Sequence, residues 1–308
     1  MRPPTWEPDP GWHALPAGSG ASTVGVWRTA YGDQPVVVKR LAAPEPHDPA
    51  ELSDPRHAAY WRREADVLET RVVAGAPGLR SVEAAVEEDD AGITITREWV
   101  EDAATSGLFV AVSLGRFAGA ELPRPRFLVR EQLRQRLART EHRAGGWPTL
   151  ARTTAADVAD HLWSRREEFC ELLDGLPQVP QHGDPSHRNV PGRAGDDAVA
   201  IDWATLGLGP VGGDLGYFAL GAREELEPLL DAYLVGLGER HDVATTDEVL
   251  LGARVTAVFT AFGRAEWALA RVATGEGALA GKYRHPAVAP YLRALQRIAP
   301  HVEALLGW

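Results

Sequence analysis

Gln181-His182-Gly183-Asp184-Pro185-Ser186-His187-Arg188-Asn189 is the stretch on which the reading of this chain turns. Gly183 and Pro185 flank Asp184, so the segment cannot run as regular helix or strand and must present its side chains from a loop. Asp184 and Asn189 stand five residues apart. Thirteen residues beyond Asn189, the β-like run Val199-Ala200-Ile201 ends in Asp202-Trp203.

Two carboxylates and an amide at the ends of a loop and a strand match the needs of phosphoryl transfer. That reaction requires a carboxylate to orient the attacking hydroxyl or accept its proton. It also requires oxygen ligands for magnesium and a fixed cation against the phosphates. Asp184 suits the first task and Asn189 with Asp202 the second. The Asn amide oxygen coordinates without adding negative charge beside the phosphates. The cation is Lys39, which closes the β-branched run Val36-Val37-Val38. Each residue alone is ordinary: an Asp between Gly and Pro makes turns, and a Lys at a strand end is normally solvated. The order and spacing of the series carry the reading.

Working outward, the first hundred residues read as strands and turns with one helix. Trp12–Leu15 and Val24–Trp27 flank the small-residue loop Gly18-Ser19-Gly20-Ala21-Ser22, and Val82–Val86 and Ile93–Trp99 flank an acidic turn. Between them a helical pattern runs from about Arg56 to Thr70 and carries Glu64. From about Ala103 the chain turns helical, over Ala103–Ala118, Arg126–His142, Thr154–Leu173, Ala222–Leu237, Thr246–Thr274 and Val288–Leu306. Thr154 with Asp157 opens the third, and Thr245 with Glu248 forms a capping box for the fifth. The expected fold is α+β and bilobal: a β-rich lobe over residues 1–101 and a mainly helical lobe over 102–308.

Composition narrows the function. The 308 residues carry 32 Lys and Arg against 43 Asp and Glu, a net charge of -11, which argues against nucleic acid or an anionic membrane as partner. No run reaches the length of a membrane span and the N-terminus has no signal-like apolar region, so a cytoplasmic location is expected. The single cysteine, Cys170, cannot form an internal disulfide and reads as a core residue.

With these motifs in place, the sequence resembles the aminoglycoside phosphotransferase family, small-molecule kinases of the protein-kinase-like fold that include choline, homoserine and antibiotic kinases. The resemblance runs from about Trp12 to about Gly236 and is most specific at His182–Asn189 and Ile201–Gly216. It implies ATP or GTP and Mg2+ as cofactors, Asp184 as catalytic base, and Asn189 and Asp202 as metal ligands. It also implies His182 and Asp214 as structural supports of the loop. Lys39 matches the phosphate-binding lysine and Glu64 its helix partner, with Glu69 and Glu51 as competitors for that role. Glu98-Trp99-Val100 falls where the interlobe hinge offers backbone groups to the base. The loop before Lys39 departs from Gly-x-Gly-x-x-Gly, so phosphate cradling there would rest on backbone amides and the Ser22 hydroxyl, against the alternative of a plain hairpin turn.

The acceptor is less defined. The resemblance implies a small-molecule hydroxyl, foremost on an aminoglycoside-like or other hydroxylated amine. The alternatives are a metabolic sugar, choline-like or amino-alcohol kinase, and a catalytically silent binding protein. Glu224-Glu225-Leu226-Glu227 with Asp231 could face a polyamine, although a solvated helix face explains them better. Trp147, Trp163, Trp267 and Tyr283 could stack on a sugar or amine, although core packing is the commoner role.

Overall fold

The structure, a computed structural model, describes residues 6–16, 20, 22–103, 105–141, 154–238, 244–272, 284–286 and 288–305. The N-terminal part is an antiparallel sheet in the order β1-β2-β3-β6-β5. Its strands are β1 (His13–Ala14), β2 (Thr23–Tyr31), β3 (Gln34–Ala42), β5 (Ala84–Asp89) and β6 (Gly92–Glu98). Two-residue loops close two of its hairpins, with Tyr31 opposite Gln34 and Asp89 opposite Gly92. In the second, Asp89 Oδ1 accepts from the amides of Ala91 and Gly92 at 2.8 and 3.0 Å, which fixes the turn.

Register decides where Lys39 points. It lies opposite Val26 on one side and Ile95 on the other, so it shares a sheet face with them and with Leu41. That face packs on α1 (Arg63–Thr70) through a core of Leu41, Ala65, Ile93 and Ile95. Strand β3 runs on past Lys39 to Ala42, placing the lysine inside the strand.

Helix α1 begins seven residues later than the periodicity suggests. Residues 56–62 form successive turns, with the His57 amide bonded to Asp54 and the Tyr60 amide to His57. The carbonyls of Pro55, His57 and Ala58 turn toward the Arg63 guanidinium, so they do not feed an α-helical ladder. The helix ends at Arg71 in the left-handed conformation, φ 52°.

The helical part holds α2 (Gly107–Ala118), α3 (Gln132–Glu141), α4 (Thr154–Ser164), α5 (Arg166–Asp174), α6 (Gly213–Ala219), α7 (Leu226–Leu237), α8 (Thr246–Val272) and α9 (Ala289–Leu305). The expected helix over 154–173 is two, broken at Arg165 (φ -108°, ψ 8°). The capping box of α8 forms, with the Thr245 amide on Glu248 and the Glu248 amide on Thr245 Oγ1. Helices α2 and α7 approach closely because Gly115 and Gly236 lie in the contact. A Cβ on either would stand 2.1 or 2.0 Å from a carbonyl oxygen of the other helix. Cys170 is buried in the core of α5, and burial pushes its thiol up to about 11, as expected of a packing residue.

Short strands tie the two parts together. β4 (Leu79–Ser81) runs parallel to β9 (Asp197–Ala200), which pairs in turn with β8 (Gly192–Ala194). β7 (Gln178–Gln181) pairs with β10 (Gly207–Pro210), so the loop after β7 and the turn after β9 emerge at the same end. None of the described helices is long and apolar enough to cross a membrane.

Candidate active site

The loop that follows β7 is held from below by one carboxylate. Asp214, at the start of α6, accepts from the His182 amide at 2.7 Å and the Gly183 amide at 2.9 Å. Gly183 has φ +83°, a conformation costly for a side chain, and a Cβ there would lie 2.5 Å from the Thr205 carbonyl. Burial pushes the Asp214 carboxyl up to about 6, against the lowering influence of His182 and of those two amides.

His182 is fully buried and joins the loop to the strand end. Its Nε2 is 2.9 Å from the Ile201 carbonyl, and its Nδ1 accepts from the Asp184 amide at 3.3 Å. The pair of bonds places the proton on Nε2. Within the loop, Asn189 Nδ2 donates to the Asp184 carbonyl at 2.9 Å, and the Asn189 carbonyl accepts from the Ile201 amide at 2.9 Å. With its nitrogen on that carbonyl, the Asn189 amide leaves Oδ1 without a hydrogen bond among the described residues. Asp202 follows in the left-handed region, φ 62°, ψ 60°, an uncommon geometry that an aspartate tolerates.

Lys39 meets this edge from the sheet side. Its Nζ is 2.5 Å from Glu64 Oε2 and 2.8 Å from Asp202 Oδ1. Burial would lower the Lys39 pKa, but the carboxylates of Asp202 and Glu64 outweigh it and raise the value above that of a free lysine. Asp202 is moved up by burial but further down by Lys39, so it ends below the usual carboxylate range. Glu64, not Glu69, is the helix partner: Glu69 pairs with Arg62 at 2.9 Å. The structure thus brings Lys39, Glu64 and Asp202 into contact, and His182, Asp184, Asn189 and Asp214 into one hydrogen-bonded loop.

The remaining residues singled out in the sequence lie further off. The Glu98 side chain accepts from Gln34 Nε2 at 2.5 Å, while no hydrogen bond within the described residues engages the amide or carbonyl of Val100. Arg28 stacks over Trp99 at 4.5 Å beside them. The Ser22 carbonyl accepts from Ala42, and Gly18, Ser19 and Ala21 lie outside the described residues, as do Trp147 and Tyr283.

Several site residues have no signature in the sequence. Arg63 is fully buried and donates all five of its N–H groups: to the carbonyls of Phe127 (2.6 Å), Ala58 (3.3 Å), Ala204 (3.1 Å), Pro55 (2.9 Å) and His57 (2.6 Å). It ties α1 to the turn that follows Asp202, and burial lowers its pKa to about 10. The only hint in the chain is phase: Arg63 shares the helix face of Val67. On the other side of the loop, Arg264 Nη2 lies 3.9 Å from Asp184 Oδ1, and its guanidinium stacks 4.3 Å from the Tyr217 ring. Burial pushes the Tyr217 hydroxyl up to about 12, with the charge of Asp184 adding to the rise. The acidic stretch is occupied elsewhere: Glu224 caps the Gly107 amide of α2 at 2.8 Å, Glu225 faces Arg297 and Glu227 faces Arg254.

A small antiparallel sheet carrying a lysine, set against a helical body whose loops carry two aspartates and an asparagine, defines the protein-kinase-like phosphotransferases. The chain belongs to the phosphotransferase enzyme family, whose family model matches residues 13–250, and it is a phosphotransferase acting on small molecules. Among curated proteins no match was found. Solved structures with the same fold include the choline kinase LicA of Streptococcus pneumoniae, with 14% identity over 94% of each chain and a TM-score of 0.57. An amicoumacin kinase solved with AMP-PNP, Ca2+ and Ami has 14% identity over 96% of this chain and 89% of its own, with a TM-score of 0.60. A spectinomycin phosphotransferase solved with ADP and its antibiotic has 10% identity over 96% and 93%, with a TM-score of 0.52.

Proposed function

We propose that this chain transfers the γ-phosphate of ATP or GTP to a hydroxyl of a small molecule in a Mg2+-dependent reaction. The observation that supports this best is the contact of Lys39 with both Glu64 and Asp202, at the edge of the loop bearing Asp184 and Asn189. Residues 1–101 would form the nucleotide side and residues 102–308 the acceptor side.

Among the described residues no group of three or more His, Cys, Asp or Glu side chains is placed to hold a metal by itself. That suits magnesium in this chemistry, which takes one or two protein oxygens and completes its shell with phosphates and water. Asn189 Oδ1 and Asp202 are the fitting donors: one neutral and one anionic, with their backbones joined through Ile201. When bound there, the ion would offset the negative charge of the nucleotide phosphates.

The chain's own residues supply the rest. Lys39, held as a cation by its two partners, faces the nucleotide phosphates, and Glu64 fixes its direction. The Val100 backbone groups, unbonded among the described residues, would receive the base, and the Ser22 turn would border the phosphates. Asp184 orients the acceptor hydroxyl in line with the γ-phosphorus and takes its proton. His182 and Asp214 hold the loop so that Asp184 keeps that aim. A cytoplasmic setting, where nucleotide and magnesium are abundant, goes with this reading.

Solved structures with the same fold include choline, spectinomycin and amicoumacin kinases, which supports a small hydroxylated molecule as the acceptor class. The metabolic alternative differs only in the acceptor. A silent binding protein is disfavoured because Lys39, Asp184, Asn189 and Asp202 are all intact. The test is nucleoside diphosphate release with ATP and GTP, with and without Mg2+, over hydroxylated amines, sugars, amino alcohols and hydroxy acids. Acceptor-dependent release that needs Mg2+ is expected. Absence of release with every acceptor, in protein that binds Mg2+-nucleotide, would count against catalysis.

A further inference from the structure

Between α3, α6, α8 and α9 lies a cavity of about 360 Å³, and two residues of its lining, Tyr217 and Arg264, also reach Asp184. Asp184 is not itself part of the lining, but the cavity borders it through these two side chains. Its charge is the reverse of the chain's. Overall the protein carries -11, yet three guanidiniums, Arg136, Arg139 and Arg264, line the cavity, and among the described residues no Asp or Glu does.

These cations are only partly balanced. Arg264 faces Asp184 at 3.9 Å. Arg136 donates to the Gly183 carbonyl at 2.9 Å and lies 5.3 Å over the Tyr217 ring. Neither Arg136 nor Arg139 forms an ion pair with a carboxylate among the described residues. Among the described residues, two carboxylates face these three guanidiniums from outside the lining: Asp184, beside Arg264, and Asp214, whose carboxyl Arg136 pulls down. The wall also carries a hydroxyl, Thr260 Oγ1, that is only 8% exposed and has no hydrogen-bond partner among the described residues. A buried polar atom left in this way normally meets a ligand or water. The rings of Tyr217, Trp267 and Tyr291, with Leu133, Leu137 and Phe259, supply the apolar part of the lining.

A polyamine entering such a cavity would meet like charge from the half-buried Arg136 and Arg264 and the exposed Arg139, which disfavours its binding. A carboxylate would find forked donors that match its geometry. Resting on the kinase reading above, we propose that the acceptor is a hydroxylated carboxylic acid with a ring or other apolar body. Its carboxylate is held by Arg139 and Arg136, its body lies against Tyr217, Trp267 and Tyr291, and its hydroxyl reaches Asp184. In the transfer, the acceptor oxygen forms a bond to the γ-phosphorus while the bond from that phosphorus to the β–γ bridging oxygen breaks. The hydroxyl proton passes to Asp184, and the nucleoside diphosphate leaves with the bond's electron pair.

The test uses matched pairs: mandelate, 3-phenyllactate and hydroxyproline, each beside its methyl ester, with phenylalaninol and an aminoglycoside as amine probes. Binding is measured by calorimetry or ligand-observed NMR on the full chain with Mg2+ and a non-hydrolysable nucleotide, and nucleoside diphosphate release is measured in parallel. The acid should bind at least tenfold more tightly than its ester in one or more pairs. Arg139→Gln should remove that preference while leaving nucleotide affinity unchanged. Esters binding as well as acids in every pair, or amines binding best, would overturn the proposal. If those amines also drive diphosphate release, phosphotransfer stands and only the acid is lost. Acid-selective binding abolished by Arg139→Gln but with no release would uphold the pocket and count against phosphotransfer.

Discussion

Replacing Arg63 with methionine removes one charge and five hydrogen bonds from a fully buried position while keeping a side chain of similar reach. In the wild type every guanidinium N–H is used, on carbonyls 2.6 to 3.3 Å away that belong to Pro55, His57, Ala58, Phe127 and Ala204. Two effects oppose each other in the variant. The desolvation burden that lowers the Arg63 pKa to about 10 disappears, but five carbonyls lose their donor. Charge-assisted bonds contribute about 1.5–3 kcal/mol each, and dismantling one side of a buried charged network costs about 3–5 kcal/mol net. With a urea slope of about 2–3 kcal/mol/M for a chain of this size, the unfolding midpoint should fall by about 1.5 M. Arg63→Lys, with three donors on a point charge, should recover only part of the loss. A midpoint within about 0.3 M of wild type for Arg63→Met would refute the argument that this residue anchors α1 to the turn after Asp202.

Other consequences are equally direct. Asp214 is raised from 3.8 to about 6, so between these values the folded protein keeps a proton that the unfolded chain has released. Stability should therefore fall as pH rises through that window, by about 3 kcal/mol at most and less if the two amides relax around the acid. The effect should vanish in Asp214→Asn, as read by urea unfolding at pH 4.5 and 7. Glu64→Gln removes one of the two carboxylates on Lys39; kcat/KM for nucleotide should drop about tenfold to a hundredfold with little loss of stability, and unchanged kinetics would detach Glu64 from the site. Gly183→Ala forces a Cβ to 2.5 Å from the Thr205 carbonyl at φ +83°; it should cost about 2–3 kcal/mol by thermal or urea unfolding.

How much of this is legible in sequence depends on whether the cause is local. The loop 181–189 can be read because Gly183 and Pro185 exclude regular structure around Asp184, and the strand end at Asp202 follows from a β-branched run. Lys39 is marked by the same kind of run, and the capping box at Thr245 needs only a spacing of three residues. The structure of 56–62 is hidden because a helical apolar period survives there while Arg63 draws the carbonyls away. β4 is hidden too: three residues acquire strand geometry only from parallel pairing with Ala198–Ala200, more than a hundred positions distant. The break at Arg165 leaves the periodicity of 154–173 nearly intact, so two helices look like one. Arg136, Tyr217 and Arg264 sit on three helices and come into contact with one another only when α3, α6 and α8 meet beside Asp184.

The central claim is that Asp184 acts on the acceptor while Asp202 serves the nucleotide side. The most direct measurement compares acceptor-dependent turnover and Mg2+-nucleotide affinity in Asp184→Ala with those of the wild type. The account predicts a turnover loss of about 10³-fold or more, with nucleotide affinity within a few-fold. Turnover near the wild-type rate in a folded Asp184→Ala protein would contradict it.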